Sequence, residues 1–223
     1  MNLVSAKINA IIFDLDGLIV DTEPLHQKAF NLLLARHGIP YEIGVEEYGR
    51  DYVGLPVRED CQRAIANYAL PLDVDTAFAE RQAIYLDLIA DPANLSVYTG
   101  ALALIEKCKS RGKPVALATG ATREEARTIL RGVGITNHFD AIVTGSDVAR
   151  GKPAPDVYLR ALAELKLRGE DCLALEDSAS GVTAAKRAGV RVIAVPNRYT
   201  RHQDLTHADL RVESLEEVGK IVG

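Results

Sequence analysis

The stretch INAIIFDLDGLIVDTE, residues 8–23, decides the fold. Its first six residues form a short run rich in isoleucine and apolar apart from Asn9, and Asp14-Leu15-Asp16-Gly17 stops it. A run of that length bounded by turn residues is the pattern of a strand buried on both faces, as in a parallel sheet. Four later runs have the same character, at residues 114–118, 141–144, 172–175 and 191–195. Helical patterns separate these four. The alternation predicts an α/β chain with a Rossmann-like parallel sheet and helices on both faces.

The helix boundaries are well marked. Thr122-x-x-Glu125 reads as a capping box. Gly112 and Gly189 stand where a left-handed C-terminal cap is expected. One region breaks the alternation, because residues 21–91 read as helical throughout. Within it, a helix over 24–36 starts with proline in its first turn and stops at His37-Gly38. Helices over 58–68 and 76–89 follow, with Leu70-Pro71 between them. The predicted organisation is a discontinuous core, residues 1–20 and 92–223, with a helical cap over 21–91. Its hinges are expected near 18–23 and 91–98.

Composition narrows the function classes. The chain has 223 residues, a formal charge of −5, 48% hydrophobic and 26% charged residues, which is the profile of an ordinary globular protein. A mildly acidic balance gives no broad surface for nucleic acid or anionic membrane. Aromatics are only 5% and tryptophan is absent, so stacking platforms for single strands are not expected. Cys61, Cys108 and Cys172 are scattered and odd in number, which argues against a disulfide framework or a structural zinc site. The start, MNLVSAK, has no apolar secretory core, and no apolar run approaches the roughly 20 residues that span a bilayer. The expected setting is the reducing cytoplasm.

Polar or small residues follow every predicted strand: Asp14-Leu15-Asp16-Gly17, Thr119-Gly120, Gly145-Ser146-Asp147, Glu176-Asp177-Ser178 and Pro196-Asn197. Sites in parallel α/β sheets form beyond the carboxyl ends of the strands. Converging these ends gathers carboxylates that suit a hard cation and helix N-termini that attract phosphate. Residue type alone therefore points to metal-assisted phosphoryl transfer. Asp14 and Asp16 share a face if the strand continues, and two such charges ionise together only with a cation nearby. Lys152, held in a loop by Pro153, is placed to neutralise a phosphorylated carboxylate. Thr119 is a candidate donor to a phosphoryl oxygen. Glu176 and Asp177 are candidate metal ligands, and Ser178 reads as a helix cap.

These residues, taken together, resemble the haloacid dehalogenase-like hydrolase superfamily. The run from Phe13 to Glu23 is similar to its first motif, Ala118-Thr119-Gly120 to its second, Gly151-Lys152-Pro153 to its third, and Leu175-Glu176-Asp177-Ser178 to its fourth. The helical insert resembles the α-helical cap of the β-phosphoglucomutase-like phosphatase group. The resemblance implies an aspartyl phosphate on Asp14, with Asp16 as general acid and then base. It implies catalytic Thr119 and Lys152 on the transferring oxygens. It implies Mg²⁺ held by Asp14, the Asp16 carbonyl and Asp177, with Glu176 direct or through water.

Asp16 also argues for a phosphorus substrate, because halide-displacing relatives need no acid there. The expected partner is a small phosphorylated metabolite, a sugar or polyol phosphate, handled by a monomer with no nucleic acid or membrane involved. His26, Arg58 and Gly120 are the expected substrate-binding residues. Arg58 reads equally as an exposed arginine paired with Glu59 or Asp60. A sugar-phosphate mutase is the alternative: His26 matches a mutase histidine, but Glu80-Arg81-Gln82-Ala83-Ile84-Tyr85 lacks the mutase's cap lysine, with Arg81 a partial substitute. A phospho-accepting signalling domain shares the acidic cluster and Lys-Pro, but needs no lid. A nucleotide-binding module lacks its glycine motif after the first strand.

Overall fold

The computed structural model describes residues 8–54 and 56–222. The MNLVSAK start, Leu55 and Gly223 lie outside the described residues.

A six-stranded parallel sheet in the order β3-β2-β1-β4-β5-β6 forms the centre. The strands are β1 (Ala10–Phe13), β2 (Val115–Ala118), β3 (Ala141–Val143), β4 (Cys172–Glu176), β5 (Arg191–Ala194) and β6 (Leu210–Arg211). The five expected strands are all present. The two-residue β6 is an addition to them, because so short an edge carries no periodicity to read. Alternation along β1 explains its central place. Ile11 and Phe13 join one buried cluster and Ala10 and Ile12 the other, so both faces of the strand are apolar and covered. Full burial of each such isoleucine or phenylalanine stabilises by about 1.5–3 kcal/mol.

Helices fill the connections. After β1 come α1 (Glu23–Arg36), α2 (Val45–Asp51), α3 (Val57–Tyr68), α4 (Val74–Ala90) and α5 (Ala101–Ser110). The later crossovers are α6 (Arg123–Gly132), α7 (Asp156–Leu165) and α8 (Ala179–Arg187), and α9 (Leu215–Ile221) ends the described chain. The sequence predicts three helices in the insert, and four lie among its described residues. The extra one, α2, has only seven residues with Gly49 inside, too short for a helical period to show. α1 starts with proline in its first turn, and Gly38 follows it at φ +71°. α6 carries the capping box, with Thr122 accepting from the Glu125 amide and the Glu125 side chain accepting from the Thr122 amide. Gly112 and Gly189 adopt φ +67° and +76° at the ends of α5 and α8.

The chain passes from sheet to insert and back along two adjacent segments. Val20 and Val97 pair antiparallel, the Asp21 amide donates to the Ser96 carbonyl at 2.7 Å, and the Tyr98 amide donates to the Ile19 carbonyl at 2.9 Å. The three cysteines are buried and free. Among the described residues, no helix is long and apolar enough to cross a membrane.

Candidate active site

β1 ends at Phe13, and the Asp14 amide still donates to the Leu175 carbonyl at 3.1 Å, so Asp14 keeps the strand's direction. Past Asp14 the expectation of a continuing strand fails. The Leu15 carbonyl accepts from Ile19 and Val20, Gly17 takes φ +77°, and the chain turns. Asp14 and Asp16 therefore meet different partners.

Asp14 lies in a buried ion cluster. Lys152 Nζ donates to Asp14 Oδ1 at 2.5 Å and to Glu176 Oε1 at 2.6 Å, with only 10% of the lysine side chain exposed. Burial alone would push the lysine pKa down, but Asp14 and Glu176 outweigh it and hold the ammonium well above its usual range. Tyr158, fully buried on α7, donates to the same Glu176 oxygen at 2.5 Å. Burial first, then Asp14, raise Glu176 to about 7 against the opposing pull of Lys152. Gly181 on α8 leaves the space Glu176 occupies, since a Cβ there would overlap the carboxylate.

Asp177 is pushed up by burial, then by Asp14 and Glu176. Asn197 Nδ2 donates to its Oδ2 at 2.8 Å and to the Gly17 carbonyl at 2.9 Å, tying the fourth strand end to the turn after the first. Asp14, Glu176 and Asp177 each bring a carboxylate oxygen within 4.8 Å of the others. Glu176 Oε2 is buried with no hydrogen-bond partner among the described residues, which is costly for a carboxylate unless a cation or ordered water meets it. Hard oxygen donors of this kind suit Mg²⁺. The Asp16 carboxylate is not in this set.

Asp16 instead accepts from Thr22 Oγ1 at 2.7 Å and Thr119 Oγ1 at 3.2 Å. Burial, then the Asp14 charge, raise its pKa to about 7, the range a group needs to give and take a proton near neutrality. Beside it, Glu23 is raised to about 8 by burial and then by Asp16.

A cavity of about 400 Å³ joins these groups to the helical insert, with Asp14, Asp16, Thr119, Gly120, Lys152 and Asp177 on one side and His26, Arg58, Arg81 and Gln82 on the other. Glu176 lies beneath it, fully buried. His26 stacks on Tyr85 with ring centroids 3.9 Å apart, and the buried Arg81 guanidinium donates to His26 Nδ1. Burial, then Arg81, depress the His26 pKa well below its usual value, so the ring is neutral with its proton on Nε2. Arg58 is half-exposed and pairs with Asp75, not with Glu59 or Asp60. Asp60 is itself buried and raised to about 8, by burial above all. Ser178 caps α8, accepting from the Gly181 amide at 3.2 Å.

A family model described as haloacid dehalogenase-like hydrolase matches residues 8–189. The chain belongs to the haloacid dehalogenase-like hydrolases. Protein CbbY of Rhodobacter capsulatus is 35% identical over 94% of this chain and 94% of its own. Validoxylamine A 7'-phosphate phosphatase of Streptomyces hygroscopicus is 32% identical over 93% and 94%. The crystal structure of a mutant CbbY from Rhodobacter sphaeroides, in complex with xylulose-(1,5)bisphosphate, superposes with TM-score 0.84 at 33% identity, covering 95% of this chain and 96% of that one. The enzyme class of this haloacid dehalogenase-like chain is phosphoric monoester hydrolase.

Four residues of the site carry no decisive signal in the sequence. Thr22 lies in the first motif, but nothing there marks its hydroxyl as a partner of Asp16. Asn197 reads only as a polar strand end. Tyr158 sits in an ordinary amphipathic helix. Glu125 reads only as half of a capping box.

Proposed function

We propose that this hydrolase is a Mg²⁺-dependent phosphatase that cleaves a small sugar or polyol phosphate through an aspartyl phosphate on Asp14. The observation that carries the reading is the separation of the two aspartates. Asp14 sits against Lys152 in the cluster with Glu176 and Asp177, while Asp16, two residues on, is held by Thr22 and Thr119 with its pKa raised to about 7.

An Asp14 oxygen attacks the substrate phosphorus, and the bond from phosphorus to the leaving oxygen breaks. The protonated Asp16 carboxyl gives its proton to that oxygen, so an alcohol leaves rather than an alkoxide. Ionised Asp16 then takes a proton from water, whose oxygen attacks phosphorus and breaks the acyl-phosphate bond. Phosphate leaves and Asp14 regains its carboxylate. Lys152 offsets the negative charge gathered on Asp14 and the phosphoryl oxygens, and Thr119 offers them a hydroxyl donor. Asp14, Glu176 and Asp177 would hold Mg²⁺, which would supply further charge neutralisation at the phosphoryl oxygens. Residues 21–91 act as a cap that excludes water and reads the leaving group, with His26 presenting an Nε2–H donor and Arg58 at the cavity mouth.

Support for the substrate class comes from a Thermotoga maritima relative named phosphorylated carbohydrates phosphatase, and from the mutant CbbY structure with xylulose bisphosphate. The buried free thiols fit a reducing cytoplasm and the chain is expected to work as a monomer. The His26–Arg81 contact favours one second reading, a sugar-phosphate mutase with Arg81 in place of the cap lysine.

A panel of phosphorylated metabolites assayed for phosphate release with Mg²⁺ tests both. It includes xylulose 1,5-bisphosphate and β-glucose 1-phosphate, with glucose 6-phosphate followed separately. Phosphate release from sugar or polyol phosphates is the expected result. Bisphosphate-primed formation of glucose 6-phosphate without net phosphate would establish the mutase instead, and inertness towards every phosphomonoester would remove the phosphatase reading.

A further inference from the structure

We infer that Gln82 is a positioning residue that docks the helical insert onto the core through the Glu125 carboxylate and so closes the cavity over Asp14 and Asp16. Gln82 lies on α4, Glu125 in the first turn of α6, and Gln82 Nε2 donates to Glu125 Oε1 at 2.8 Å. Both residues line the cavity that holds the two aspartates.

The chemistry of Glu125 makes this contact more than a surface bond. Only 5% of the residue is exposed. One of its oxygens is already committed, since Oε2 accepts from the Thr122 amide at 2.6 Å in the capping box. That bond is local to α6 and survives whatever the insert does. Oε1 is different, because its donor comes from across the cleft. Closure without Gln82 would bury a charged oxygen unpaired, and hydrogen bonds to buried charged groups are the strong ones. When α4 lifts, water replaces the amide at no such cost. The bond therefore biases the closed arrangement by satisfying a group that closure itself desolvates. Asp16 and Tyr85 line the same cavity as Glu125, so the acceptor stands at the edge of the reacting groups and not at a distant seam.

A substitution cycle tests this, and only its kinetic arm rests on the phosphatase reading. Gln82→Leu removes the donor. Gln82→Glu sets one carboxylate against another. Glu125→Gln keeps the capping box, in which glutamine also serves. The double exchange Gln82→Glu with Glu125→Gln restores a donor–acceptor pair of opposite direction.

In amide hydrogen exchange on the substrate-free chain, α4 should lose protection in both Gln82 variants and regain it in the double exchange. With the best sugar phosphate of the panel, kcat/KM should fall about tenfold or more in Gln82→Leu and recover in the double exchange, as expected for a hydrogen bond to a charged group. 4-Nitrophenyl phosphate, which has no polyol for the cap to read, should change much less. Wild-type exchange in Gln82→Leu, or a double exchange no better than Gln82→Glu alone, would overturn the inference. If no phosphomonoester is turned over, the phosphatase reading fails and the exchange arm still decides the role of Gln82.

Discussion

Lys152 and Asp14, 138 residues apart in the chain, meet at 2.5 Å, and the same ammonium reaches Glu176 at 2.6 Å. One cation thus holds two buried carboxylates that would otherwise repel each other, at the place where the proposed mechanism brings the phosphoryl group. Lys152→Met should lower kcat by about 10²–10³-fold, as for loss of one donor to a developing oxyanion. It should also lower Tm in EDTA, because breaking a buried ion pair leaves charges uncompensated. Mg²⁺ should recover part of that Tm loss and little of the kcat. Steady-state kinetics and calorimetry with and without Mg²⁺ check both.

Stability of the metal-free chain should depend on pH in an unusual direction. Asp16 is raised to about 7, and Glu23 and Asp60 to about 8, burial being the largest cause for each. The folded chain keeps these protons above the pH at which the unfolded chain has lost them. The slope of unfolding free energy with pH is therefore negative from about pH 4 to 8. Stability should fall across that window in EDTA and level off above it. Asp147 acts oppositely, since the Thr144 hydroxyl bond and Arg123 lower it to about 2 against a smaller opposing effect of burial, so its stabilisation is lost only as pH falls from about 4 to 2. Thermal unfolding from pH 5 to 9 in EDTA reads the main effect, and a Tm that rises across this range would contradict the burial argument.

Asn197 holds Asp177 and the Gly17 carbonyl with one amide group. Asn197→Ala should weaken Mg²⁺ binding about 10–100-fold, the usual cost of losing a group that orients a metal ligand. Titration calorimetry measures this without turnover, and unchanged affinity would free Asp177 from dependence on Asn197.

Gly181 makes room for Glu176. Gly181→Ala should favour the helix intrinsically yet destabilise the chain by about 1–3 kcal/mol, because the added methyl displaces a buried carboxylate. A raised Tm would show that Glu176 has room to move.

Much of this is legible in the sequence for a physical reason. Strands buried on both faces are continuously apolar, so Ile11, Leu117, Leu173 and Ile193 announce themselves without any partner. Asp14, Thr119, Lys152 and Asp177 are legible because each follows a strand or anchors a loop at one edge of the sheet. Contacts across the fold are not. Tyr158 reaches Glu176 from inside a helix, Asn197 reaches back 180 residues to Gly17, and Gln82 reaches Glu125 across the cleft. Nothing local in the chain encodes such pairings. For Asp16 the sequence conveys importance but not geometry, because the turn set by Gly17 at φ +77° sends it away from the strand.

The division of labour between Asp14 and Asp16 is the centre of the account, and rapid quench with ³²P-labelled substrate and Mg²⁺ tests it most directly. Asp14→Asn should give no phosphoenzyme and essentially no turnover with an intact fold, an amide being a poor nucleophile. Asp16→Asn should slow phosphorylation by alkyl phosphates by about 10²–10⁴-fold and by an activated aryl phosphate much less, and it should accumulate phosphoenzyme from the aryl substrate because no base activates water. Equal losses on both substrates, with no phosphoenzyme in either variant, would contradict it.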